Sequence, residues 1–403
     1  VVDPLLSPKA LEEVVKNRDY YYQVRIAAAK ALAFYASRAR HGKDEAETRM
    51  RQDAESNGEW KAGEEKPPML AYRALNDYLK IHYYDSGNQI WRSNNFSDFA
   101  DYFLKRGVIK AIATIQDNES LSPTKVVDCL VSLLKDNDNG RNLYSDCYYL
   151  HDLILCLGKI RLSRTESPEK IWDQLSRYLE YDRVLPSYRN LISTAALKAT
   201  CELMVADVLP RNKLRFKDFT TYPNYDKVRL TALQCMVKLI VKDPKSAPEV
   251  LMTICDEVCP GVQREALRYW TEYWERQPPI VKKFSLKDGD APEAVKLRNH
   301  IWALLIDHPD GVIRYTAERL YSAIWQKGPK SSVDKQIYLL VQSNPVPSAM
   351  RRWHDAKVSL QKWKADRTKH MSTYDSRLSG SVSIKINPSG KERVSLKMSG
   401  VRK

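Results

Sequence analysis

No stretch of this sequence approaches the ~18 consecutive apolar residues of a membrane-spanning helix, so no span is expected. The first residues, VVDPLLSPKALEEVV, have no basic region, no apolar h-region and no cleavage site, which argues against a signal peptide. They also lack an initiator Met, and the chain is expected to be a piece of a longer protein. Catalytic signatures are missing too: there is no HExxH, no G-x-x-x-x-G-K-[ST], no GxGxxG and no GxSxG. His151 precedes Asp152 on a helix whose apolar face points elsewhere, and reads as a surface or pocket-edge residue. Asp307–His308–Pro309–Asp310 has turn chemistry. No two carboxylates sit in settings that would separate their pKa values. We therefore expect no enzyme and no cofactor. The seven cysteines are an odd number and fall mostly within helical runs, as buried thiols of a reducing compartment would. Cys255 and Cys259 lie one helical turn apart, but no His or second pair completes a four-ligand zinc site.

What the sequence does have is a recurring stripe. Within Tyr225–Val241 the apolar residues are Val228, Ala232, Cys235, Met236, Leu239 and Ile240, at offsets 0, +4, +7, +8, +11 and +12. That spacing makes one face of a helix turning 3.6 residues per turn. Asp226 stands where it can help satisfy the helix N-terminus. The same offsets recur from Val24, Tyr149, Tyr188, Val262 and Ile313, with Arg161 the one miss. An Arg follows the first position in four of the six: Arg25, Arg189, Arg229 and Arg314. From Tyr149 onward the starts are 39, 40, 34 and 51 residues apart. A helix pair every 40–47 residues or so is the HEAT or armadillo unit. The expected fold is an all-α, HEAT/armadillo-like solenoid in which each stripe is core between neighbouring repeats.

Five stretches follow along the chain. Residues 1–39 read as a first helix pair, with Ser7 as N-cap of Pro8–Lys16. Residues 40–66 are a charged insertion loop without a lasting apolar stripe. Residues 67–326 carry the repeats, 327–367 terminal helices and a basic linker, and 368–403 a flexible tail. Ser97–Lys105 reads as a helix ended near Gly107, with Val108–Gln116 as its successor. Ser122–Pro123 opens the next helix with Pro at its first position. Pro186 breaks the chain between two later helices. Of the net charge of +15, ten units belong to residues 351–403, so the basicity is mainly in the tail.

Five segments carry a resemblance that the repeat pattern does not require. They are YYQVRIAAAKALA (21–33), NNFSDFADYFLKRGVIKAIA (94–113), DNDNGRNLYSDCYYLHDLI (136–154), LPSYRNLISTAALKA (185–199) and FTTYPNYDKVRLTAL (219–233). Their order and loops resemble the C-terminal HEAT-repeat region of the subunit-two family of the general transcription factor TFIID, over about residues 10–325 and with a fungal cast. The resemblance implies a nuclear, non-enzymatic scaffold in promoter recognition by RNA polymerase II. It implies docking of other TFIID subunits, notably the extended tail of subunit eight. In that family promoter DNA is met mainly by a catalytically dead aminopeptidase-like region ahead of the repeats, so no DNA contact is carried to a residue here. No membrane partner is implied.

The tail has two alternating segments, SVSIKI (381–386) and RVSLKM (393–398), joined by NPSGKE. Val382, Ile384 and Ile386 point one way and Lys385 the other. Val394, Leu396, Lys397 and Met398 repeat the pattern. Such segments can add a strand to a partner's sheet edge. The resemblance implies such a partner for 381–398, the extra-terminal domain of a YEATS-family subunit. Self-pairing across NPSG, or a disordered basic tail, are the alternatives. A further alternative is DNA phosphate contact by Arg351, Arg352, Lys357, Lys362, Lys364, Arg367 and Lys369, with Trp353 and Trp363 interleaved. A peptide of residues 378–400 should bind a recombinant extra-terminal domain at both low and high salt. Ile384→Asp with Leu396→Asp should weaken it at least tenfold by titration calorimetry, whereas binding that only salt abolishes would point to phosphate contact.

Overall fold

A computed structural model describes residues 8–38, 67–117, 119–140, 142–163, 166–276 and 292–325, with two strands at 382–386 and 392–396. Ser7, the insertion at 40–66 and residues 327–367 lie outside the described residues. The chain divides into two compact units, Val1–Leu297 and Arg298–Lys403.

The first unit is built of helix pairs. They are α1 (Pro8–Lys16) with α2 (Tyr22–Arg38), α3 (Pro67–Tyr83) with α4 (Phe99–Ile112), α5 (Thr124–Lys135) with α6 (Cys147–Leu157), and α7 (Glu169–Val184) with α8 (Leu191–Val205). The next repeat replaces its first helix by a short 3-10 turn, Phe216–Phe219, packed on α9 (Asp226–Leu239). Then α10 (Ala247–Cys255) pairs with α11 (Pro260–Arg276). The second members touch in succession, α2 to α4 to α6 to α8 to α9 to α11. Contacts between them fall at equal depth: Glu202 pairs with Lys238, and the Tyr273 hydroxyl donates to the Lys238 carbonyl at 3.1 Å. These inner helices therefore run the same way, and their N-termini share one edge.

The stripes are the core. Val228, Ala232, Cys235 and Ile240 of α9 are buried, as are Val262, Ala266, Trp270 and Trp274 of α11. Tyr149, Leu153, Cys156, Leu157 and Ile160 are buried to the last residue. Two first positions depart from the pattern, since Val24 and Tyr188 are exposed. The inner helix α4 also follows the offsets, as Asp101, Lys105, Val108, Ile109, Ile112 and Ala113. Its two leading charges hid it from an apolar template. One pair, α3–α4, thus lies between the insertion and α5.

The extra Arg has a structural use. A helix leaves its last carbonyls without partners, and a cation there also meets the negative dipole end. Arg25 donates from Nε to the Val15 carbonyl near the end of α1, at 3.0 Å. Arg314 donates to the His308 carbonyl just past the preceding helix, at 2.7 Å. Gln263 does the same without charge, reaching the Cys255 carbonyl at 2.6 Å. Arg229 instead meets Glu257 at 2.6 Å and Asp226 at 2.7 Å, so Asp226 sits in the first helical turn but serves Arg229. Arg189 lies in a left-handed kink (φ 52°) and points outward. There Asp182 takes over the opening of α8, accepting from the Ser187 amide at 2.6 Å and the Ser193 amide at 2.8 Å.

Three local expectations are corrected. Helix α4 does not end near Gly107 but runs through it, because Gly107 lies against Ile26 of α2, where a Cβ would come within 2.5 Å of the Ile26 side chain. Tertiary contact, not termination, explains that glycine. Pro123 is the N-cap of α5, not its first helical residue. Its neighbour Ser122 does not cap; it exchanges hydrogen bonds with Arg161, donating its amide at 2.7 Å and accepting on Oγ at 3.1 Å. A short hairpin of two-residue strands, β1 (Tyr84–Asp85) with β2 (Ile90–Trp91), is an element the apolar spacing does not signal.

In the second unit, α12 (Pro292–Asp307, from Arg298 on) and α13 (Gly311–Trp325) bury Ile301, Leu305, Ile313, Ala317, Leu320 and Ile324. Strands β3 (Val382–Ile386) and β4 (Glu392–Leu396) pair antiparallel, the self-paired alternative. No helix among the described residues is long and apolar enough to cross a membrane.

Gly158 caps the end of α6 against the backbone of α8, where a Cβ would meet the Ala199 Cα at 2.7 Å. Gly158→Ala should therefore cost about 2–3 kcal/mol in urea unfolding, as overpacking against backbone does. Gly107→Ala should cost less by about 1 kcal/mol, the helix preference of Ala over Gly, although the Ile26 Cγ1 and Cγ2 it meets at 2.5 and 2.8 Å belong to a β-branched side chain with little freedom to turn aside. Equal losses would contradict this reading.

Candidate docking edge

The loops ahead of the inner helices emerge on the shared N-terminal edge, and they are the segments that carried the resemblance. Asp98 caps α4 by accepting the Asp101 amide at 3.1 Å. The helix so started places Phe99 and Phe103 one turn apart and both exposed, 59% and 39%. Rings then follow one another across three repeats. Tyr21 lies 4.6 Å from Tyr22, Tyr22 5.9 Å from Phe103, and Phe103 5.7 Å from Tyr102. Phe96 continues the chain at 5.2 Å from Tyr102 and 6.0 Å from Tyr144. Beyond it Leu143 is 97% exposed. Further along the edge Leu185, Tyr188, Tyr222 and Tyr225 are also exposed. Tyr102 is buried and Tyr22 and Phe96 half-buried, so they join from beneath the rings that are exposed, Tyr21, Phe99, Phe103 and Tyr144; clustered apolar exposure marks interaction surfaces.

The asparagines of DNDNGRN hold this arrangement. Asn139 donates to the Tyr144 carbonyl at 2.8 Å, and Asn142 reaches across to the Asn94 carbonyl at 3.0 Å. Asn137 donates to Asp146 at 2.7 Å.

Beneath the rings lies a buried polar cluster. Lys105 is 4% exposed. Its ammonium donates to Asn94 Oδ1 at 2.9 Å and lies 5.2 Å from the Tyr83 ring and 4.8 Å from the Tyr149 ring. The Tyr83 hydroxyl donates to Asp101 at 2.7 Å. Burial lowers the Lys105 pKa to about 8, with Asp101 and Asp146 opposing the shift. Burial raises the pKa of Asp146 and of the Tyr83 hydroxyl. On the flank, Asp152 is buried and accepts from Arg106 at 2.6 Å and Lys110 at 2.8 Å. Burial works against its charge, but bonds from His151 and Lys110 and the charge of Arg106 outweigh it and hold the carboxyl at about 2. His151 sits half-buried beside it, at the cluster's edge.

The sequence-predicted tail residues divide in two. Val382, Ile384, Lys385, Ile386, Val394 and Leu396 fall in the hairpin, whose register sets Val382 opposite Leu396 and Ile384 opposite Val394. Lys397 and Met398, and the basic set Arg351, Arg352, Lys357, Lys362, Lys364, Arg367 and Lys369, lie outside the described residues. Six cysteines are buried and Cys259 is half-buried; no group of three metal-ligating side chains occurs among the described residues.

A family model described as "TAF2-like, TPR repeats" matches residues 6–348. The chain belongs to that family. The TPR of its description, like HEAT, denotes stacked helix pairs, the architecture found here. Relatives include "Transcription initiation factor TFIID subunit 2" of Drosophila melanogaster, 26% identical over 78% of this chain and 25% of its own length. The protein of the same name from Schizosaccharomyces pombe is 26% identical over 66% of this chain and 22% of its own. That from Saccharomyces cerevisiae is 27% identical over 50% and 13%. This TAF2-like chain thus spans about a third or less of the length of the relatives it matches.

The buried lysine gives a pH signature. Its pKa is about 8 in the fold against an ordinary 10.5. Below pH 8 both folded and unfolded chains carry the charge, and its burial penalty is fully present. Between about 8 and 10.5 the unfolded chain holds a proton that the folded chain has released, so stability rises with pH. Urea unfolding from pH 7 to 9.5 should show this rise, and Lys105→Met should remove it. A parent and variant with parallel pH profiles would refute the assignment.

Proposed function

We propose that this chain is a non-enzymatic scaffold of the general transcription factor TFIID, acting in the nucleus in promoter recognition by RNA polymerase II and preinitiation complex assembly. The reading rests on family membership and on one observation above all, the aromatic chain Tyr21–Tyr22–Phe103–Tyr102–Phe96–Tyr144 along the inner-helix N-termini. Such a ridge suits extended segments of other subunits, the tail of subunit eight among them, which lay apolar side chains between the rings. The hairpin at 382–396 adds a second tether by offering a strand edge to a YEATS-family extra-terminal domain. A second reading, nucleic-acid binding, is favoured by the net charge of +10 on residues 351–403. Salt separates the two, because phosphate contact weakens steeply with ionic strength and apolar docking does not.

Phe99→Ser with Phe103→Ser should leave the melting temperature within a few degrees, since Phe99 is mostly exposed and Phe103 partly so. In reconstituted TFIID it should cut incorporation of this chain at least fivefold, equally at low and moderate salt. Undiminished incorporation would remove the ridge from the docking role.

A further inference from the structure

Position +4 of the inner-helix stripe is Ala28, Leu153, Ile192, Ala232, Ala266 and Ala317 in six helices, and Lys105 in the seventh. A lysine there is unfavourable for stability, because it takes an ammonium out of water into the stripe that holds two repeats together. Its surroundings compensate in part, with two tyrosine faces and the Asn94 oxygen. Asn94 adds a second unfavourable term. It is 3% exposed, and while its Oδ1 accepts from Lys105, its Nδ2 meets no acceptor among the described residues. Two unfavourable buried groups at one contact point to a role other than stability.

Position explains what that role is. Lys105 lies one turn from Asp101 and holds the loop ahead of its own helix, through Asn94 Oδ1 and, at 3.4 Å, the Arg92 carbonyl. Asn94 in turn is the anchor for the next repeat's loop, since its carbonyl accepts from Asn142. These two loops carry Phe96 and Tyr144, the pair whose contact joins the third repeat to the aromatic chain. We infer that Lys105 is the positioning residue of the docking edge, an internal cation that fixes the loops of two successive repeats so that their rings form one surface. The docking half of this inference rests on the function proposed above; the positioning half does not.

Amide exchange read by mass spectrometry on the 403-residue chain tests it. In Lys105→Met the melting temperature should be no lower than in the parent. The amides of 93–97 and 142–146 should nevertheless lose protection at least tenfold, with α4 and α6 unchanged. Asn94→Asp, which sets a carboxylate against the ammonium, should keep protection within threefold; Asn94→Leu should lose it as Lys105→Met does. Unchanged loop protection in Lys105→Met would overturn the inference. So would a lower melting temperature with protection lost evenly over the helices, the mark of a merely structural residue. Incorporation into TFIID, measured on the same variants, separates the two claims. Loosened loops with undiminished incorporation would uphold the positioning role and remove the edge from docking.

Discussion

The close approach of one inner helix to the next is the constraint on which the rest depends. Gly107 against Ile26 and Gly158 against Ala199 leave no room for a Cβ, and Ala28, Ala195, Ala232 and Ala266 are buried along the same seam. Small residues let the helices share one stripe of core, and each fully buried large apolar side chain there contributes roughly 1.5–3 kcal/mol. No repeat can bury that stripe alone, so each is stable only through its neighbours.

Because the helices lie so close, their ends need separate arrangements. Side chains in the first turn of an inner helix reach back to cap the helix before it, as Arg25, Gln263 and Arg314 do. Where the kink at Arg189 prevents this, a buried Asp182 organises the turn instead. The loops are thereby fixed from beneath, which frees their aromatic residues to face outward.

Much of this was legible in the sequence, and the exceptions have physical causes. Six inner helices announced themselves by apolar offsets. The seventh, α4, reads as two helices in one dimension because Gly107 resembles a terminator when its partner Ile26 is unseen. Asp101 and Lys105 further masked its period, since a charged pair that finds partners in the fold looks like a solvated face in one dimension. The resemblance segments were legible as specific, but not as an edge; only parallel inner helices bring Tyr21, Phe103 and Tyr144 to one side. That DNDNGRN is an asparagine scaffold could not be read from spacing, because its acceptors, the carbonyls of Asn94 and Tyr144, lie on either side of it in the chain.

Parallel inner helices have an electrostatic consequence. Each helix carries a dipole equivalent to about half a positive charge at its N-terminus. Six such ends side by side in the first unit make the edge a row of partial positive charge set by the backbone alone, and neighbouring dipoles of the same sense repel. Asp98, Asp101, Asp146 and Asp226 stand in or beside the first turns of α4, α6 and α9, where carboxylates relieve that repulsion. Part of the acidity of these loops is thus counter-charge to the fold's own peptide groups.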